Sequence, residues 1–456
     1  MEPIKNPRHL ALLILLEFSK SRLPLDHVLD EFSQRLSLLP RLDRALANAL
    51  IFGVLRWQQS LDWMVRSFSS RDIKQIQPEI LILLRLGLYQ MAYMERIPVS
   101  AAVNTAVDIA KSIANKGAAG FVNAVLRKGA AGWQTLKPPD MDKDPVNHIR
   151  ICQSMPAWLI RRWLRRFGSD QTLNLCTRIN TIPPITVRTN TLKTNRQSLS
   201  EILLPHTRNL SLTDHTPDGI SFFHPSVPIQ EMEAYSQGLF QVQDEAAQIV
   251  SLLLDPKPGD TVLDACAGLG GKTGHIAQLM ENSGTLIAAD TSAKKLALLM
   301  DEMKRLGVSN VTTRQQDLST MPLGDFPEIF DRILLDAPCS GLGVLRRNPD
   351  TKWTRTPDDI TRLADQQEIL LTRAAGLLKP GGVMVYAVCS AEPEENHDVI
   401  SRFLEKQKDF HLETSHDLLF PLTVKELVSE AGLFTSWPHA PVMDGFFAAV
   451  LVRKRA

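Results

Sequence analysis

One stretch of this sequence decides its fold: Thr261-Val262-Leu263-Asp264-Ala265-Cys266-Ala267-Gly268-Leu269-Gly270-Gly271-Lys272. A run typical of a buried strand ends at the aspartate, and a glycine-rich loop leads from it into a helical pattern. Glycines at such a turn let the backbone approach a ligand closely and expose N–H groups at the helix start. The stretch therefore predicts a strand, a ligand-binding loop and a helix, although tight turns also use glycine for purely structural reasons.

From about residue 236 onward, strand and helix patterns alternate. We predict strands at 260–265, 284–289, 310–315, 330–336, 382–388 and 445–453, with helices between them that include 292–306 and 360–378. Such alternation is typical of an α/β Rossmann-like domain with a mostly parallel sheet and helices on both faces. Ligands of these sheets bind at the carboxyl ends of the strands, which makes the loops there the candidate site.

The residues before this α/β part predict two further domains. In residues 1–135, apolar side chains recur at helical spacing and no proline interrupts the helical stretches. Residues 148–235 mix short helices with strand-like pieces at 185–190 and 219–223, which is typical of a small α+β module. We therefore divide the chain into a helical domain (1–135), an α+β module (148–235) and an α/β domain (236–456).

The composition bears on the partner, the metal content and the compartment of this protein. The net charge is only +1, but residues 1–140 hold 18 Lys and Arg against 12 Asp and Glu, which indicates a nucleic-acid partner or a slightly basic solvated surface. The five cysteines include no CxxC pair, so we expect no zinc ribbon and no metal, and a reducing compartment. Because no long apolar stretch is present, we expect a cytoplasmic protein without a membrane partner.

Acidic residues follow the strands after the glycine-rich loop. Asp290 lies about 20 residues beyond the loop, where a carboxylate accepts hydrogen bonds from both ribose hydroxyls, and Asp317 is placed to bind an adenine amine. Either aspartate alone could be a helix cap or a turn residue. Gly268 stands four residues before Lys272, where a phosphate-binding loop needs a glycine five before it. The joint pattern therefore favours S-adenosylmethionine over a dinucleotide.

Two cysteines also end predicted strands. Cys339 stands in Asp336-Ala337-Pro338-Cys339-Ser340, and Cys389 directly follows the run 382–388. A single cysteine there is ordinarily a small buried hydrophobe, but two at one sheet edge indicate covalent catalysis. A thiolate that adds to carbon 6 of cytosine makes carbon 5 nucleophilic, and a base must then remove the carbon 5 proton. Asp336 is placed to neutralise charge on the ring nitrogen if it is protonated or shares a proton with cytosine N3 and the exocyclic amine. The spacing leaves open which thiol attacks.

Several motifs resemble the Sun (Fmu-type) family of RNA cytosine-5 methyltransferases. They are residues 242–246, 268–273, 335–343, 347–353, 388–390 and 444–447, and the resemblance covers nearly the whole chain. Residues 1–130 resemble the NusB-type helical RNA-binding domain of the 16S rRNA branch, and 188–193 resemble a segment near the RNA. The implied fold is an α/β Rossmann-like methyltransferase domain preceded by an all-α NusB-like bundle and a small α+β module.

The resemblance also assigns roles to residues. It implies that Cys389 is the nucleophile and that Cys339 helps to release the methylated product. It implies S-adenosylmethionine binding by Cys266, Ala267, Gly268, Leu269, Gly270, Gly271, Lys272, Asp290, Asp317 and Asp336. Two residues depart from the family pattern. Leu269 replaces a more usual proline, which should leave the loop more flexible, and Val388 replaces a threonine but keeps its β-branched shape.

The expected function is therefore that of a 16S rRNA (cytosine-5)-methyltransferase, a monomer by default, acting on naked rRNA or on a partly assembled small subunit. A tRNA substrate or a catalytically silent RNA-binding assembly factor are the alternatives, and a DNA methyltransferase would leave Cys389 unexplained. We further expect Arg346, Arg347, Lys352 and Trp353 to contact RNA or to brace a flipped base. The alternative is ordinary surface charge together with one packed aromatic side chain.

Overall fold

The computed structural model describes residues 6–21, 23–320, 329–414, 422–437 and 443–455. The chain forms two compact units. The first comprises Met1–Thr181 and Leu345–Arg355, and the second comprises Ile182–Val344 and Thr356–Ala456. Our three-part division of the chain is a different partition, and its bounds stay a prediction. Among the described residues, no helix is both long and apolar enough to cross a membrane.

The first unit is helical. Its helices are α1 (Pro7–Ser21), α2 (Leu25–Glu31), α3 (Ser33–Ser37), α4 (Arg41–Phe68), α5 (Pro78–Tyr93), α6 (Val99–Ile113), α7 (Lys116–Gly132), α8 (Pro145–Cys152) and α9 (Ala157–Ile179). Local sequence explains two of the helix starts, since Pro78 opens α5 and the Asn115 side chain caps α7 by accepting from the Ala118 N–H. Leu10, Leu50 and Leu84 belong to one buried core. The helical prediction for residues 1–135 is confirmed.

The segment Leu345–Arg355 packs into this helical unit although it lies more than 160 residues downstream of α9. The Trp353 indole N–H donates to the Leu55 carbonyl at 2.6 Å, and the Lys352 ammonium donates to the Asn180 side chain at 2.7 Å. Lys352 is only 1% exposed, and burial lowers its pKa to about 7. The expectation that Lys352 contacts RNA is therefore wrong, and the same expectation for the partly exposed Trp353 stays a prediction. Their side chains anchor the segment within the first unit.

The second unit begins with a small antiparallel sheet. Its strands are β1 (Ile185–Thr189), β2 (Arg208–Leu212), β3 (Gly219–Phe223) and β4 (Phe240–Val242), in the order β2-β3-β1-β4. The helices α10 (Arg196–Leu203) and α11 (Glu233–Ser236) accompany it. Val187, Leu199, Ile220 and Phe240 share its buried core. The predicted strands at 185–190 and 219–223 are confirmed, whereas β2 and β4 were not predicted.

A larger mixed sheet of eight strands follows. It contains β5 (Thr261–Asp264), β6 (Thr285–Asp290), β7 (Val311–Gln315), β8 (Phe330–Asp336), β9 (Leu378–Val388), β10 (Phe410–Leu412), β11 (Leu433–Thr435) and β12 (Phe447–Arg453). The order is β10-β12-β9-β8-β5-β6-β7, and β11 pairs with β12. Strands β7, β6, β5, β8 and β9 run parallel, and β12 is antiparallel to β9. The mostly parallel sheet is confirmed.

The remaining helices are α12 (Glu245–Leu254), α13 (Gly271–Leu279), α14 (Ala293–Leu306), α15 (Thr351–Thr354), α16 (Pro357–Ala375) and α17 (His397–Lys406). Alternate residues of the central strands enter two separate cores, with Val262 and Leu334 in one and Leu263 and Ile333 in the other. Two boundary predictions are wrong. The helix predicted over 360–378 spans Pro357–Ala375, and the strand predicted over 382–388 already begins at Leu378.

The sheet topology creates the candidate site. The chain runs from β5 outward through β6 to β7, then returns to add β8 and β9 on the other side of β5. Ligands of such sheets bind beside this reversal, at the carboxyl ends of the strands. Asp264 of β5 lies in register between Ala288 of β6 and Leu334 of β8, and Asp336 of β8 lies beside Ala387 of β9. The predicted site residues thus share one sheet edge.

Candidate functional site

The loop between β5 and α13 is shaped by glycine. Gly268 and Gly270 have φ values of 56° and 86°, in the left-handed region that favours glycine. A Cβ at Gly270 would lie 2.7 Å from the Leu299 side chain, whereas a Cβ at Gly268 or Gly271 would meet nothing within 4 Å. Leu269 between them is 58% exposed. The loop therefore packs against α14 on one side and leaves open space on the other.

Two acidic residues border this loop. The Asp290 carboxylate accepts from the Gly268 N–H at 3.0 Å and from the Ser292 N–H at 2.8 Å, so it joins the loop to the start of α14. Asp317 is exposed and accepts from the N–H and hydroxyl of Ser319 at 2.9 and 2.6 Å, within its own turn. Asp290 is the last residue of β6 and Asp317 follows β7, which agrees with the prediction, and their cofactor contacts stay a prediction.

Cys266 lies at the centre of this edge. Burial raises the pKa of its thiol, and four carboxylates add to the effect, namely Asp264, Asp336, Asp290 and Asp317. Its neighbour Ala267 is buried and donates its N–H to the Ala289 carbonyl at 2.9 Å. A thiol with a raised pKa is a poor nucleophile, and the predicted contact of Cys266 with a cofactor stays a prediction.

Lys272 and Asp336 form an ion pair at the open face of the loop. Their Nζ and Oδ2 atoms are 2.6 Å apart, and the Lys272 ammonium also lies 5.1 Å from the centre of the Phe446 ring. Burial by itself lowers the pKa of Lys272, but the ion pair and hydrogen bond with Asp336 outweigh it and raise the pKa overall. Cys389 adds to this rise, which places the thiol in the electrostatic range of the pair. The pair therefore joins the residue after the glycine-rich loop to the end of β8.

Asp264 is a site residue that our motif analysis did not select. It is 1% exposed, burial raises its pKa to about 7, and its Oδ2 accepts from the Thr273 hydroxyl at 2.7 Å. Its Oδ1 has no hydrogen-bond partner among the described residues. The signal was present in the sequence, since an acidic residue at the end of the central strand faces the same edge as the glycine-rich loop.

Arg188 is a second residue with an unpredicted role. Its guanidinium is 1% exposed and donates to the Gly271 carbonyl at 3.0 Å and to the Gln241 side chain at 2.8 Å. Burial lowers its pKa to about 9. The side chain therefore braces the beginning of α13 from the small sheet and is not available to RNA. The sequence holds no local signal for this contact, because 83 residues separate the partners.

The two thiols meet where β8 and β9 end. The sulfur atoms of Cys339 and Cys389 are 3.1 Å apart, and both side chains are partly exposed. The hydrogen bond with Cys389, followed by burial, raises the pKa of Cys339 well above its usual value. The Gly343 N–H donates to the Cys389 carbonyl at 3.0 Å, and a Cβ on Gly343 would lie 1.9 Å from the Gly445 oxygen. Close backbone packing thus joins the loop after Cys339 to the end of β9, and the two thiols lie at one sheet edge, as the sequence predicted.

These residues fit S-adenosylmethionine. The open space above Gly268 and Gly271 admits a ligand against the backbone, and the unpartnered Asp264 oxygen is a buried acceptor for an amino group. The carboxylates of Asp290 and Asp317 suit ribose hydroxyls and an adenine amine. Within the described ranges, no group of three or more His, Cys, Asp or Glu side chains is arranged to hold a metal ion.

Comparisons with known proteins support this assignment. Residues 251–452 match the family described as 16S rRNA methyltransferase RsmB/F, residues 5–131 match the NusB family, and residues 155–230 match the ferredoxin-like domain of RsmF/B-like methyltransferases. The probable ribosomal RNA small subunit methyltransferase B of Synechocystis sp. is 36% identical over 98% of this chain and 99% of its own length. Its namesake in Bacillus subtilis is 37% identical over 90% of this chain and 91% of its own length.

A solved structure has the same fold over nearly the whole chain. The crystal structure of PH0851 superimposes with a TM-score of 0.79 at 26% identity and covers 98% of this chain and 99% of its own. The sequence relatives, the three matched domains and this fold agree with the geometry of the loop and thiols. The chain therefore belongs to the RsmB/F family of 16S rRNA methyltransferases, for which S-adenosylmethionine is the implied methyl donor.

Proposed function

We propose that this protein transfers a methyl group to carbon 5 of a specific cytosine in 16S rRNA through a covalent bond between a cysteine and carbon 6. The observation that carries this proposal is the 3.1 Å separation of the Cys339 and Cys389 sulfur atoms at the ends of neighbouring strands. Methylation of a ring nitrogen or an oxygen would need no thiol. Two adjacent thiols match a reaction that needs both a nucleophile and a later proton acceptor.

Cys389 is the attacking sulfur in this proposal, as the family resemblance implies. The raised pKa of Cys339 keeps its proton in place at neutral pH, so its S–H group can donate to the Cys389 sulfur. Cys389 then adds to carbon 6 as the thiolate, and carbon 5 gains the electron density of an enamine. S-adenosylmethionine, when bound, supplies an electrophilic methyl group to that carbon.

Cys339 acts next. Once the Cys389 sulfur is bonded to carbon 6, it carries no charge and accepts a hydrogen bond poorly, which removes the first cause of the raised Cys339 pKa. Cys339 can then release its own proton to water and take the proton from carbon 5. The bond between Cys389 and carbon 6 breaks, and the thiolate is regenerated. One proton leaves in each cycle, as the overall methylation of a C–H bond requires.

Asp336 and Lys272 orient and neutralise the base. Lys272 holds the Asp336 carboxylate at 2.6 Å. In this proposal that carboxylate accepts from the exocyclic amine of a cytosine above Cys389, and from its ring nitrogen once that nitrogen has gained a proton. The ammonium also offsets negative charge that develops on the ring during attack. Because a cytosine in a helix cannot reach this edge, the target base must leave its stack.

The helical unit offers a surface for the rest of the RNA. A groove of about 740 Å³ lies between α6 and α7, and its polar lining consists of Lys111, Lys116, Arg127, Asn104, Asn123 and Asp108. Asp108 pairs with Lys111 at 2.9 Å. Cations and amides of this kind suit phosphate and sugar contacts. Names of the relatives refer to small-subunit ribosomal RNA, which supports 16S rRNA over tRNA as the substrate.

Bisulfite sequencing of 16S rRNA tests the proposal. Cells without this gene are complemented with the wild-type copy or with Cys389→Ala. We expect one cytosine that is protected from conversion with the wild type and not with the variant. A difference found in tRNA instead would move the substrate to tRNA. No difference in either RNA would support the silent assembly factor and contradict the proposed chemistry.

A further inference from the structure

A buried glutamate lies directly behind the two thiols. Glu395 ends the short turn Pro393–Glu395 after β9, and its side chain is 0% exposed. Its carboxylate accepts from the Ser340 N–H at 2.7 Å and from the Ser340 hydroxyl at 2.5 Å. It also accepts from the Ser390 hydroxyl and, at 3.1 Å, from the Gln367 amide. Donors therefore surround the carboxylate.

The positions of the two serines make this arrangement informative. Ser340 directly follows Cys339, and Ser390 directly follows Cys389. Both hydroxyls meet the same Glu395 oxygen, and they lie 3.2 Å from each other. One carboxylate thus ties together the residues after the two cysteines. Those residues lie on separate loops, 50 positions apart in the chain.

Gln367 and Tyr386 contact Glu395 and hold it in place. The Gln367 side chain on α16 also donates to the Pro338 carbonyl at 2.9 Å, which places a further constraint on the residue before Cys339. The Tyr386 hydroxyl on β9 lies 2.6 Å from the Glu395 carbonyl and 3.0 Å from the Gln367 oxygen. Gln367 and Tyr386 are each 0% exposed. The network is therefore buried, and side chains from α16 and β9 hold it in place.

A carboxylate is an unfavourable group to bury at such a position. Burying it costs desolvation energy, and apolar residues of similar volume often stabilise a fold as well or better. A carboxylate that accepts from several donors fixes the positions of those donors relative to one another. We propose that Glu395 is a positioning residue that holds the Cys339 and Cys389 sulfur atoms at contact distance. This inference rests on the proposed function, in which both thiols take part in one catalytic cycle.

Kinetics of Glu395→Gln test the proposal. The amide keeps the volume but turns one acceptor oxygen into an N–H donor that faces other donors, so the two loops lose a shared acceptor. We expect kcat to fall about 10- to 100-fold, because displacements near 1 Å at a reacting group cost about that much. KM for RNA and for S-adenosylmethionine should stay within about twofold. An unchanged kcat would overturn the proposal.

A coupling measurement separates positioning from general destabilisation. If Glu395 acts through the two serines, Glu395→Gln should cause little further loss of kcat in a Ser340→Ala/Ser390→Ala background. Residues that share one network show such non-additive effects, whereas independent sites multiply their effects on rate. Independent, multiplying losses would show that Glu395 acts by another route and would contradict the proposal.

A redox measurement gives a readout that does not depend on methylation. Oxidised glutathione converts the Cys339 and Cys389 thiols to a disulfide and is itself reduced to two molecules of glutathione. The bond is quantified by peptide mass spectrometry on the full chain without cofactor. We expect its formation to slow about tenfold in Glu395→Gln, because the effective concentration of one thiol near the other falls. The alkylation rate of Cys152, a partly exposed cysteine in the first unit, serves as the internal control.

The methylation assay and the disulfide measurement together separate this inference from the proposed function. A wild-type protein that makes no 5-methylcytosine, with disulfide formation still slowed by Glu395→Gln, would remove the proposed function and keep the positioning role. An unchanged or faster rate of disulfide formation would overturn the positioning role. Should Glu395→Gln not fold, Ser390→Ala carries the same measurement, since it removes one donor and leaves the carboxylate with its other partners. An unchanged disulfide rate in Ser390→Ala would then overturn the inference.

Discussion

Two regions of this protein each hold a lysine largely away from solvent, and they do so in opposite ways. At the sheet edge that we propose binds the cofactor (the cofactor edge), Lys272 has a side chain 12% exposed, lies 2.6 Å from the Asp336 carboxylate and has a raised pKa. In the anchor segment Leu345–Arg355, Lys352 donates to the Asn180 amide at 2.7 Å and to the Arg56 carbonyl at 3.3 Å, and burial lowers its pKa to about 7. Burial alone therefore does not determine the charge of a lysine, because the partner decides it.

We also expect the two lysines to have different roles, Lys272 in the reaction and Lys352 in the stability of the helical unit. Lys272 lies within the electrostatic range of Cys389, where a permanent positive charge can serve the reaction. Among the described residues, Lys352 donates to two neutral oxygens, those of the Arg56 carbonyl and the Asn180 amide, and these bonds hold the helical unit together. Changes at the cofactor edge should therefore alter turnover, and changes at the anchor segment should alter stability.

The largest effect is expected for the thiols of the cofactor edge. Cys389→Ala should abolish turnover and form no RNA adduct, because the nucleophile is missing. Cys339→Ala should still attack, and a covalent protein–RNA complex should accumulate because no base removes the carbon 5 proton. Denaturing gels of the protein with labelled 16S rRNA distinguish these results, with Cys152→Ala as a control of ordinary activity. An adduct in Cys389→Ala would reverse the assigned roles.

Removing the charge of Lys272 should have the next largest effect. In Lys272→Met, Asp336 loses its ion-pair partner, and we expect kcat/KM to fall about 100-fold, by analogy with the loss of one charge-stabilising donor. The matched control is Lys257→Met. Its ion pair with Asp255 is also 2.6 Å long, but the lysine side chain is 57% exposed, so activity should stay within about twofold. Equal losses in both variants would contradict a special role for Lys272.

Lys352 should instead affect stability in a pH-dependent way. Its pKa is about 7 when folded and lies near the ordinary 10.5 when unfolded, so between these values the unfolded chain binds one more proton. The free energy of unfolding should therefore rise by about 1.4 kcal/mol per pH unit across this window from Lys352 alone. The difference between wild type and Lys352→Met in denaturant unfolding at pH 7.5 to 9.5 measures it. A difference that does not change with pH would contradict a neutral buried lysine.

The smallest effect is expected at the exposed tip of the cofactor loop. Leu269→Pro restores the residue that the family pattern favours and reduces the freedom of the unbound loop. We expect the Kd for S-adenosylmethionine to fall about two- to threefold, in line with a gain of several tenths of a kcal/mol. Equilibrium dialysis measures the change. Weaker binding would show that the native loop conformation at Leu269 does not tolerate proline.

Local signals explain the predictions that succeeded. The strand over 330–336 and the loop after Asp264 follow from apolar runs and glycines, whose preferences act within a few residues. The meeting of Cys339 and Cys389 was predictable as well, because carboxyl ends of parallel strands share one sheet edge. Strand order by itself brings such residues together without detailed packing.

Contacts between distant residues explain the rest. Lys352 and Trp353 were expected at an RNA surface, but their partners Asn180 and Leu55 lie 172 and 298 residues away. Glu395 stood in the sequence as one of several acidic residues after Cys389, and no local pattern showed that both serines would reach it. Side-chain partners of this kind depend on how loops and helices pack, which nearby residues do not specify.

The sequence by itself determined the domain types, the strands of the parallel sheet and the edge at which the glycine loop, the aspartates and the two thiols lie. Only the tertiary structure decided that Lys272 pairs with Asp336, that Lys352 is an anchor, that Asp264 keeps an unpartnered oxygen and that Glu395 joins the two cysteine loops. The physical reason is the separation along the chain over which each effect acts. Periodicity and turn chemistry act over a few residues, while burial and ion pairing depend on neighbours that only the folded chain supplies.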